Sequence, residues 1–287
     1  MLLHLIHRTT FVYAGPVQDS FNEVRLYPVS DATQQCRSFD LRLSPSASTR
    51  SYADFYGNTV HYFDVAEHHT KLVIEAASVV ETTPLADRPA IPVVSVTELE
   101  RSPEREMVAE FYSTSHYVPL EVELWREAQD ALASGRADVW SDVRRLGEHV
   151  RRTFTYMPKT TGVNTRATEA LKLRTGVCQD FAHVHLGLCR SVGIPARYVS
   201  GYFFNDTRRP REIEASHAWV EAYIPGYGWA AYDPTHDRPV DERYVKIAVG
   251  RDYGDIRPVN GTYRGAPTRW LKVKVSVRKK IARVTVR

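Results

Sequence analysis

The chain has 287 residues, of which 43% are hydrophobic and 25% are charged. This composition excludes a disordered or fibrous protein, and the length suits one large or two modest domains. The net charge of +4 comes from 38 basic and 34 acidic residues spread along the chain. The densest basic cluster, residues 278–280, is too short for a nucleic-acid platform, so we expect no nucleic-acid partner.

The sequence contains no run of 18 apolar residues, and we therefore expect neither a transmembrane helix nor a membrane partner. Its first residues, MLLHLIHRTTFVY, lack the basic start and the cleavage site of a signal peptide. Three cysteines, Cys36, Cys178 and Cys189, are an odd number in a long chain, which argues against a disulfide framework. These features favour a cytoplasmic protein.

Residues 1–80 alternate between apolar and polar side chains in short segments, as β-strands do. Turn residues separate the segments at Gly15-Pro16, at Ser44-Pro45 and at Gly57-Asn58, the last of which predicts a hairpin. We predict an antiparallel β domain over residues 1–100, which includes a proline-rich connector with one strand at 93–96.

A mixed helical and strand pattern follows, and we predict a second domain over residues 101–287. The predicted helices cover residues 104–113, 121–134, 138–153 and 178–192, and the predicted strands cover residues 197–204, 218–224 and 229–232. The tail, residues 271–287, alternates again and either pairs with the second domain's sheet or returns to the β domain.

Cys178 follows Gly176-Val177 at the predicted start of a helix. Free N–H groups and the helix dipole concentrate positive potential there, which favours a thiolate and supplies candidate oxyanion donors. A buried structural cysteine is the alternative interpretation. Cys189 is three turns further along the helix, where we expect it to pack in the core.

A thiol nucleophile needs a base within hydrogen-bond reach. His185 lies two turns from Cys178, about 10 Å along the helix axis, and is therefore expected to pack in the protein. His183 points elsewhere on the same helix. His217 begins a predicted strand, and a strand end that faces a helix start can bring the two side chains together. An ordinary edge-strand histidine is the alternative.

Asp233 ends the next predicted strand, joined to the first through Pro225-Gly226. If the two strands form a hairpin, its carboxylate can approach His217, fix the imidazole tautomer and stabilise the imidazolium. Asp233-Pro234 is otherwise a simple turn, and Asp237 and Asp241 in the following loop are alternative carboxylates.

Three ordered segments resemble the bacterial transglutaminase-like superfamily. They are TGVCQDFA at 175–182 with GIPARYVSGY at 193–202, SHAWVE at 216–221, and GWAAYDPT at 228–235. DFYGN at 54–58 is similar to the β domain that often precedes this core, and AVGRDYGD at 248–255 is similar to the stretch that often follows it. The likeness covers nearly the whole chain.

The resemblance implies an α+β fold, in which a papain-like core packs a helix N-terminus on an antiparallel sheet, preceded by the β domain. It implies a triad of Cys178, His217 and Asp233. One departure is His236, which stands where members often carry asparagine, and we expect it to alter the pocket rim rather than the chemistry.

Further candidates for an oxyanion hole or substrate contact are Tyr156, in a predicted loop over 156–165, Gln179 and Trp219. Gln179 is equally a helix cap, and Trp219 is more typical of a core residue. Arg197 is expected to form a structural salt bridge rather than to bind a substrate carboxylate. No metal-ligand motif or phosphate loop is present in the sequence, so we expect no metal and no cofactor.

These residues predict a thiol-dependent acyl-transfer enzyme that acts on a peptide or protein substrate through an acyl-enzyme. Water would resolve that intermediate in a cysteine protease or amidase, which we favour, and an amine would resolve it in a transglutaminase. A non-catalytic binding scaffold on the same fold is the alternative of another class. The sequence does not predict the oligomeric state.

Overall fold

A computed structural model describes residues 1–205 and 216–280. The strands are β1 Leu2–Val24, β2 Gln34–Ser44, β3 Arg50–Ala53, β4 Thr59–Val65, β5 His69–Thr82, β6 Thr155–Tyr156, β7 Thr175–Gly176, β8 Ala196–Phe203, β9 His217–Ile224, β10 Gly228–Asp233, β11 Arg238–Pro239, β12 Tyr244–Gly250, β13 Val259–Gly265 and β14 Thr268–Lys279. The α-helices are α1 Val96–Arg101, α2 Val122–Ala131, α3 Val139–Thr153, α4 Ala167–Leu173 and α5 Cys178–Ser191, and 3₁₀ helices cover Leu85–Asp87 and Pro103–Tyr112.

The N-terminal sheet has the order β2-β5-β1-β4-β3, with β13 and β14 also paired to β1. The expected turn at Gly15-Pro16 was wrong, because β1 runs through it as one strand of 23 residues. The pairing of β1 with β5 is interrupted between Val12 and Val17, and the partner strands change beyond that point. Proline cannot donate to a ladder and is accommodated at such an irregularity.

The C-terminal tail returns to the N-terminal sheet. Strand β14 pairs antiparallel with residues 3–13 of β1, which selects one of the two predicted alternatives. Residues 281–287, the end of the predicted tail, lie outside the described residues. The N-terminal β domain is therefore built from both ends of the chain.

The second unit places α5 on the antiparallel sheet β11-β10-β9-β8-β12. Helix α5 is buried over most of its length, with α2, α3 and α4 packed around it. The helix predicted at 138–153 is present as α3, and its Val139, Val143, Leu146 and Val150 are fully buried. No helix among the described residues is long and apolar enough to cross a membrane.

Two predicted elements near the connector differ in the structure. The strand expected at 93–96 was wrong, because Ser95 caps α1 there through a reciprocal pair of hydrogen bonds with Glu98. This capping box commits the chain to a helix. The helix expected at 104–113 is a 3₁₀ helix that begins at Pro103, and the Ser102 side chain caps its N-terminus.

Buried polar contacts join the two sheets. The Asn58 side chain donates to the Val249 carbonyl oxygen at 2.8 Å and accepts from the Val249 N–H at 2.8 Å. Gln34 makes the same kind of reciprocal contact with the backbone of Lys246. The Lys246 ammonium lies 2.5 Å from Glu221 and 2.8 Å from Asp31. These contacts hold the N-terminal sheet on the edge of the second sheet.

Candidate active site

The first turn of α5 is shaped around Asp180. Its carboxylate accepts hydrogen bonds from the Val177 N–H at 2.8 Å and from the Thr161 hydroxyl at 2.7 Å. A Cβ on Gly176 would lie 2.4 Å from this carboxylate, which explains why glycine precedes the helix. The cap presents Cys178, which is partly exposed, as the first helical residue.

The β9–β10 hairpin brings His217 and Asp233 together. His217 begins β9 and Asp233 ends β10, and the two strands pair antiparallel. Nε2 of His217 lies 2.8 Å from Oδ2 of Asp233, and both side chains are fully buried. Because a carboxylate can only accept, Nε2 carries the hydrogen and Nδ1 is left to act as the acceptor.

The Cys178 thiol interacts with the same imidazole, and both residues line one cleft. Nδ1 of His217 has no partner of full hydrogen-bond geometry among the described residues. Burial alone would lower the pKa of His217, but Asp233 and then Cys178 outweigh it and raise this pKa well above its ordinary value. The imidazole is thus suited to hold a proton taken from the thiol.

Asp233 accepts more hydrogen bonds than its histidine partner alone supplies. Oδ1 accepts from the backbone N–H of Thr235 at 2.8 Å, and Oδ2 accepts from the Tyr244 hydroxyl at 2.7 Å. Burial would raise the pKa of Asp233, but the charges and hydrogen bonds of His217 and His236 hold it well below its usual range. The carboxylate is therefore ionised.

His236 differs from its expected place on the pocket rim. Its Nδ1 lies 2.6 Å from Oδ2 of Asp233, and its backbone N–H donates to Oδ1 at 3.3 Å. The residue is absent from the lining of the cleft that holds Cys178. The turn after Asp233 directs the ring back onto the carboxylate, so His236 bears on the electrostatics of the site.

His217, Asp233 and His236 also form a group of possible metal ligands, with ligand atoms within 4.8 Å of one another. Nε2 of His217 lies 2.8 Å and Nδ1 of His236 lies 2.6 Å from Oδ2 of Asp233. Two ligands of a tetrahedral zinc ion lie about 3.3 Å apart, given metal–ligand distances near 2.0 Å. The observed separations fit hydrogen bonds between the side chains better than coordination of a metal ion.

The other candidate residues separate into two groups. Gln179 lines the cleft, where its side chain donates to the Val163 carbonyl oxygen at 3.0 Å. Tyr156 lies in β6 instead of the expected loop, and its ring packs against Phe181 away from the cleft lining. Trp219 is buried beside His217 and lines a different, smaller cavity.

His185 and Cys189, which were expected to pack in the protein, are fully buried, and His183 is buried as well. Burial lowers the pKa of His183 to about 3 and that of His185 to about 4, and His185 is 2.9 Å from the Val143 carbonyl oxygen. Arg197 forms the expected salt bridge, at 2.6 Å from Glu221.

The cleft beside Cys178 and His217 has a volume of about 410 Å³. This lies within the range of roughly 300–1,000 Å³ that is usual for ligand sites. Residues from both sheets line it: His7, Thr9, Phe11, Val163, Val177, Cys178, Gln179, Tyr198, Ser200, Ser216, His217, Ala218, Tyr253, Pro258, Val259, Leu271 and Val273.

The cysteine, the histidine and the aspartate that the sequence predicts lie together, but sequence reasoning missed the other groups on the carboxylate. Tyr244 lies on β12, at the far edge of the sheet, and its hydroxyl reaches Asp233 only in the folded protein. No local pattern marks that contact. The position of His236, three residues after Asp233, was a usable signal, because a tight turn brings such neighbours together.

The fold and this arrangement define a transglutaminase core preceded by an antiparallel β domain. Residues 126–234 match the transglutaminase-like superfamily, and residues 3–81 match the bacterial transglutaminase-like N-terminal region. The chain belongs to the transglutaminase-like superfamily, and the resemblance seen in the sequence is confirmed.

An uncharacterised protein of Mycobacterium leprae is 35% identical over 278 residues, which cover 96% of this chain and 98% of the relative. A protein-glutamine gamma-glutamyltransferase of Pseudomonas aeruginosa is 31% identical over 156 residues, which cover 50% of this chain and 23% of the relative. The crystal structure of a candidate cysteine protease from Cytophaga hutchinsonii has a TM-score of 0.76 at 23% identity and covers 98% of this chain and 92% of that chain. At this identity the structural likeness shows the fold.

Proposed function

We propose that the chain is a thiol-dependent acyl-transfer enzyme that acts on peptide or carboxamide bonds. Cys178 is the nucleophile, His217 is the base and then the acid, and Asp233 orients the imidazole. The observation that carries the proposal is the hydrogen bond of 2.8 Å between Nε2 of His217 and the buried Asp233, with Cys178 beside the same ring. This hydrogen bond leaves Nδ1 of His217, which has no full hydrogen-bond partner among the described residues, to take up the thiol proton.

In the first half-reaction, the thiol proton of Cys178 moves to Nδ1 of His217. The sulfur attacks the carbonyl carbon, and the first backbone N–H groups of α5 are the oxyanion donors, since they lack intrahelical acceptors. His217 returns the proton to the departing amine as the C–N bond breaks. The products of this step are a free amine and a thioester on Cys178.

In the second half-reaction, water or an amine attacks the thioester and the C–S bond breaks. We favour water, because it resolves the intermediate wherever solvent reaches the thioester, and Cys178 is partly exposed. Amine transfer is the second candidate. The likeness of half of the chain to a protein-glutamine gamma-glutamyltransferase supports it.

Peptide libraries incubated with the enzyme, with and without an added primary amine, separate these reactions by mass. Peptide cleavage indicates a protease, loss of ammonia with gain of water indicates an amidase, and incorporation of the amine indicates a transglutaminase. Each change should vanish with Cys178→Ala. A change that persists in this variant would exclude Cys178 as the nucleophile. The absence of every such change with the wild-type protein would favour the scaffold alternative.

A further inference from the structure

The cleft has one wall that comes from the N-terminal sheet. Thr9 and Phe11 of β1 and Leu271 and Val273 of β14 line it. Thr9 pairs with Val273 and Phe11 pairs with Leu271, so each pair lies side by side on one face of the sheet. The wall is therefore a continuous surface of two adjacent strands that ends beside Cys178.

This wall leaves apolar surface uncovered by the described residues. Leu271 is 55% exposed and Val273 is 49% exposed, although both side chains point into the cleft region. Contiguous exposed aliphatic groups beside a reactive centre are typical of a ligand-binding surface. Packing within the described protein does not account for them.

Apart from Cys178 and His217, the described part of the cleft offers no side chain that is charged at pH 7. Among the described residues that line it, none is Asp, Glu, Lys or Arg. His7 is the ionisable group of the wall, and its ring nitrogens are occupied by Thr9 at 3.0 Å and Tyr202 at 2.8 Å. Burial lowers the pKa of His7 to about 4, which keeps it neutral at pH 7. The wall therefore offers neither a counter-ion nor a free histidine nitrogen to a substrate.

The opposite face of the same two strands carries charged side chains. Arg8 of β1 pairs with Lys274 of β14, and Thr10 pairs with Lys272. These side chains line surface pockets on the outer face of the sheet. Beside the cleft wall, the charged side chains Arg8, Lys272 and Lys274 of these strands therefore lie on the face that points away from Cys178.

We propose that the N-terminal sheet forms a substrate subsite for an uncharged apolar segment, aliphatic or aromatic, that borders the reacting carbonyl. The inference rests on the proposed function for the position of that carbonyl. An apolar segment covers Leu271 and Val273 and removes their surface from water. A charged segment would lose its hydration without finding a partner on the described part of this wall.

Binding to the Cys178→Ala variant tests the subsite without any need for turnover. Three N-acetylated pentapeptide amides that differ only in two adjacent residues, both Leu, both Asp or both Lys, are titrated by calorimetry at pH 7. We expect the Leu peptide to bind at least tenfold more tightly than either charged peptide. Equal or tighter binding of a charged peptide, or no binding of the Leu peptide at millimolar concentration, would overturn the proposal.

Val273→Lys in the same background places a charge in the wall, and Ser276→Lys places the same charge on the outer face of the same strand. We expect Val273→Lys to weaken binding of the Leu peptide at least tenfold and to strengthen binding of the Asp peptide. We expect Ser276→Lys to leave the binding of both peptides unchanged. Equal effects of the two variants would contradict the subsite. If either variant fails to fold, the comparison of the three peptides with Cys178→Ala alone still tests the subsite.

Iodoacetamide labelling of the wild-type protein separates this inference from the proposed function. Selective labelling of Cys178 without any peptide preference would reject the subsite alone. A peptide preference without selective labelling would reject the thiol enzyme and retain an apolar binding groove.

Discussion

His236 places its Nδ1 2.6 Å from Oδ2 of Asp233, the oxygen that also accepts from the catalytic candidate His217. Two imidazoles thus share one carboxylate oxygen, and the Tyr244 hydroxyl is a third donor to it. Each added donor disperses negative charge that would otherwise act on His217. The basicity of His217 is therefore set by the groups around Asp233 as well as by Asp233 itself.

Replacement of His236 by alanine should concentrate the Asp233 charge on His217 and raise the pKa of His217 further. We expect the alkaline limb of the pH–rate profile to move up by about half a pH unit. The profile of peptide turnover between pH 5 and 10 measures this shift. His68→Ala, at an exposed position in the β domain, is the control and should leave the profile in place. An unchanged or lower limb in His236→Ala would contradict a role for His236 on Asp233.

Asp233→Asn should lower kcat/KM for peptide turnover by at least about a hundredfold. An amide can donate to Nε2 of His217, which would place the imidazole hydrogen on Nδ1 and remove the acceptor for the thiol proton. Asp237→Asn is the matched control, because Asp237 accepts a hydrogen bond from the Tyr232 hydroxyl instead of from His217. A similar loss of kcat/KM in both variants would indicate that any substitution in this segment disturbs the site, and would contradict a specific role for Asp233 in orienting His217.

The sequence predicts the centre of the site because its residues lie in local units. Cys178 follows a glycine-containing helix start, and His217 and Asp233 lie at the same end of one hairpin. The positions of these three groups therefore depend on short-range rules of capping and strand pairing.

The surroundings of the site depend on contacts that are distant in sequence. The cleft wall requires β14 to pair with β1, which joins residues more than 250 positions apart, and alternation alone fitted two sheets equally well. Tyr156 was expected in a loop, but two residues of parallel pairing with β7 turn it toward Phe181. Such short pairings have no sequence signature.

Lys246 holds the buried carboxylate of Glu221 at the junction of the two sheets. Burial would raise the pKa of Glu221, but Lys246 and Arg197 hold it below its ordinary value. Lys246→Met should lower the free energy of unfolding by about 3 kcal/mol, because it leaves a buried charge with one partner fewer. Urea unfolding at pH 7 measures the change.

Arg37→Met is the control for that substitution, because it breaks an ion pair with Glu81 in which both side chains are more than half exposed. Arg37→Met should lower the free energy of unfolding by less than about 1 kcal/mol. Losses of equal size in the two variants would argue against the junction as a source of stability.

Stability should fall as the pH drops from about 6.5 to about 4. Burial lowers the pKa of His7 and of His185 to about 4 and that of His183 to about 3, whereas unfolded histidine takes up a proton near pH 6.5. Unfolding in this window therefore takes up about two to three protons, which favours the unfolded chain. Urea unfolding at pH 7.0, 5.5 and 4.5 checks this slope, and a flat profile would be inconsistent with buried neutral histidines.

His217 and Asp233 do not produce that acid slope. The raised pKa of His217 gives stability that is fully present below pH 6.5 and is lost as the pH rises through the folded value. The lowered pKa of Asp233 gives stability that is present above its ordinary pKa and is lost only at lower pH. Above the ordinary pKa range of carboxyl groups, the acid slope therefore comes from the histidines whose pKa burial lowers, which are His7, His61, His183 and His185.

The most direct test of the proposed thiolate is the rate of iodoacetamide alkylation at each cysteine at pH 6, read by mass spectrometry. Burial raises the pKa of Cys36 and of Cys189, so both should react slowly. We predict that Cys178 reacts at least about tenfold faster than either, and that His217→Ala removes this advantage. Alkylation of Cys178 no faster than that of Cys36 would contradict an activated nucleophile.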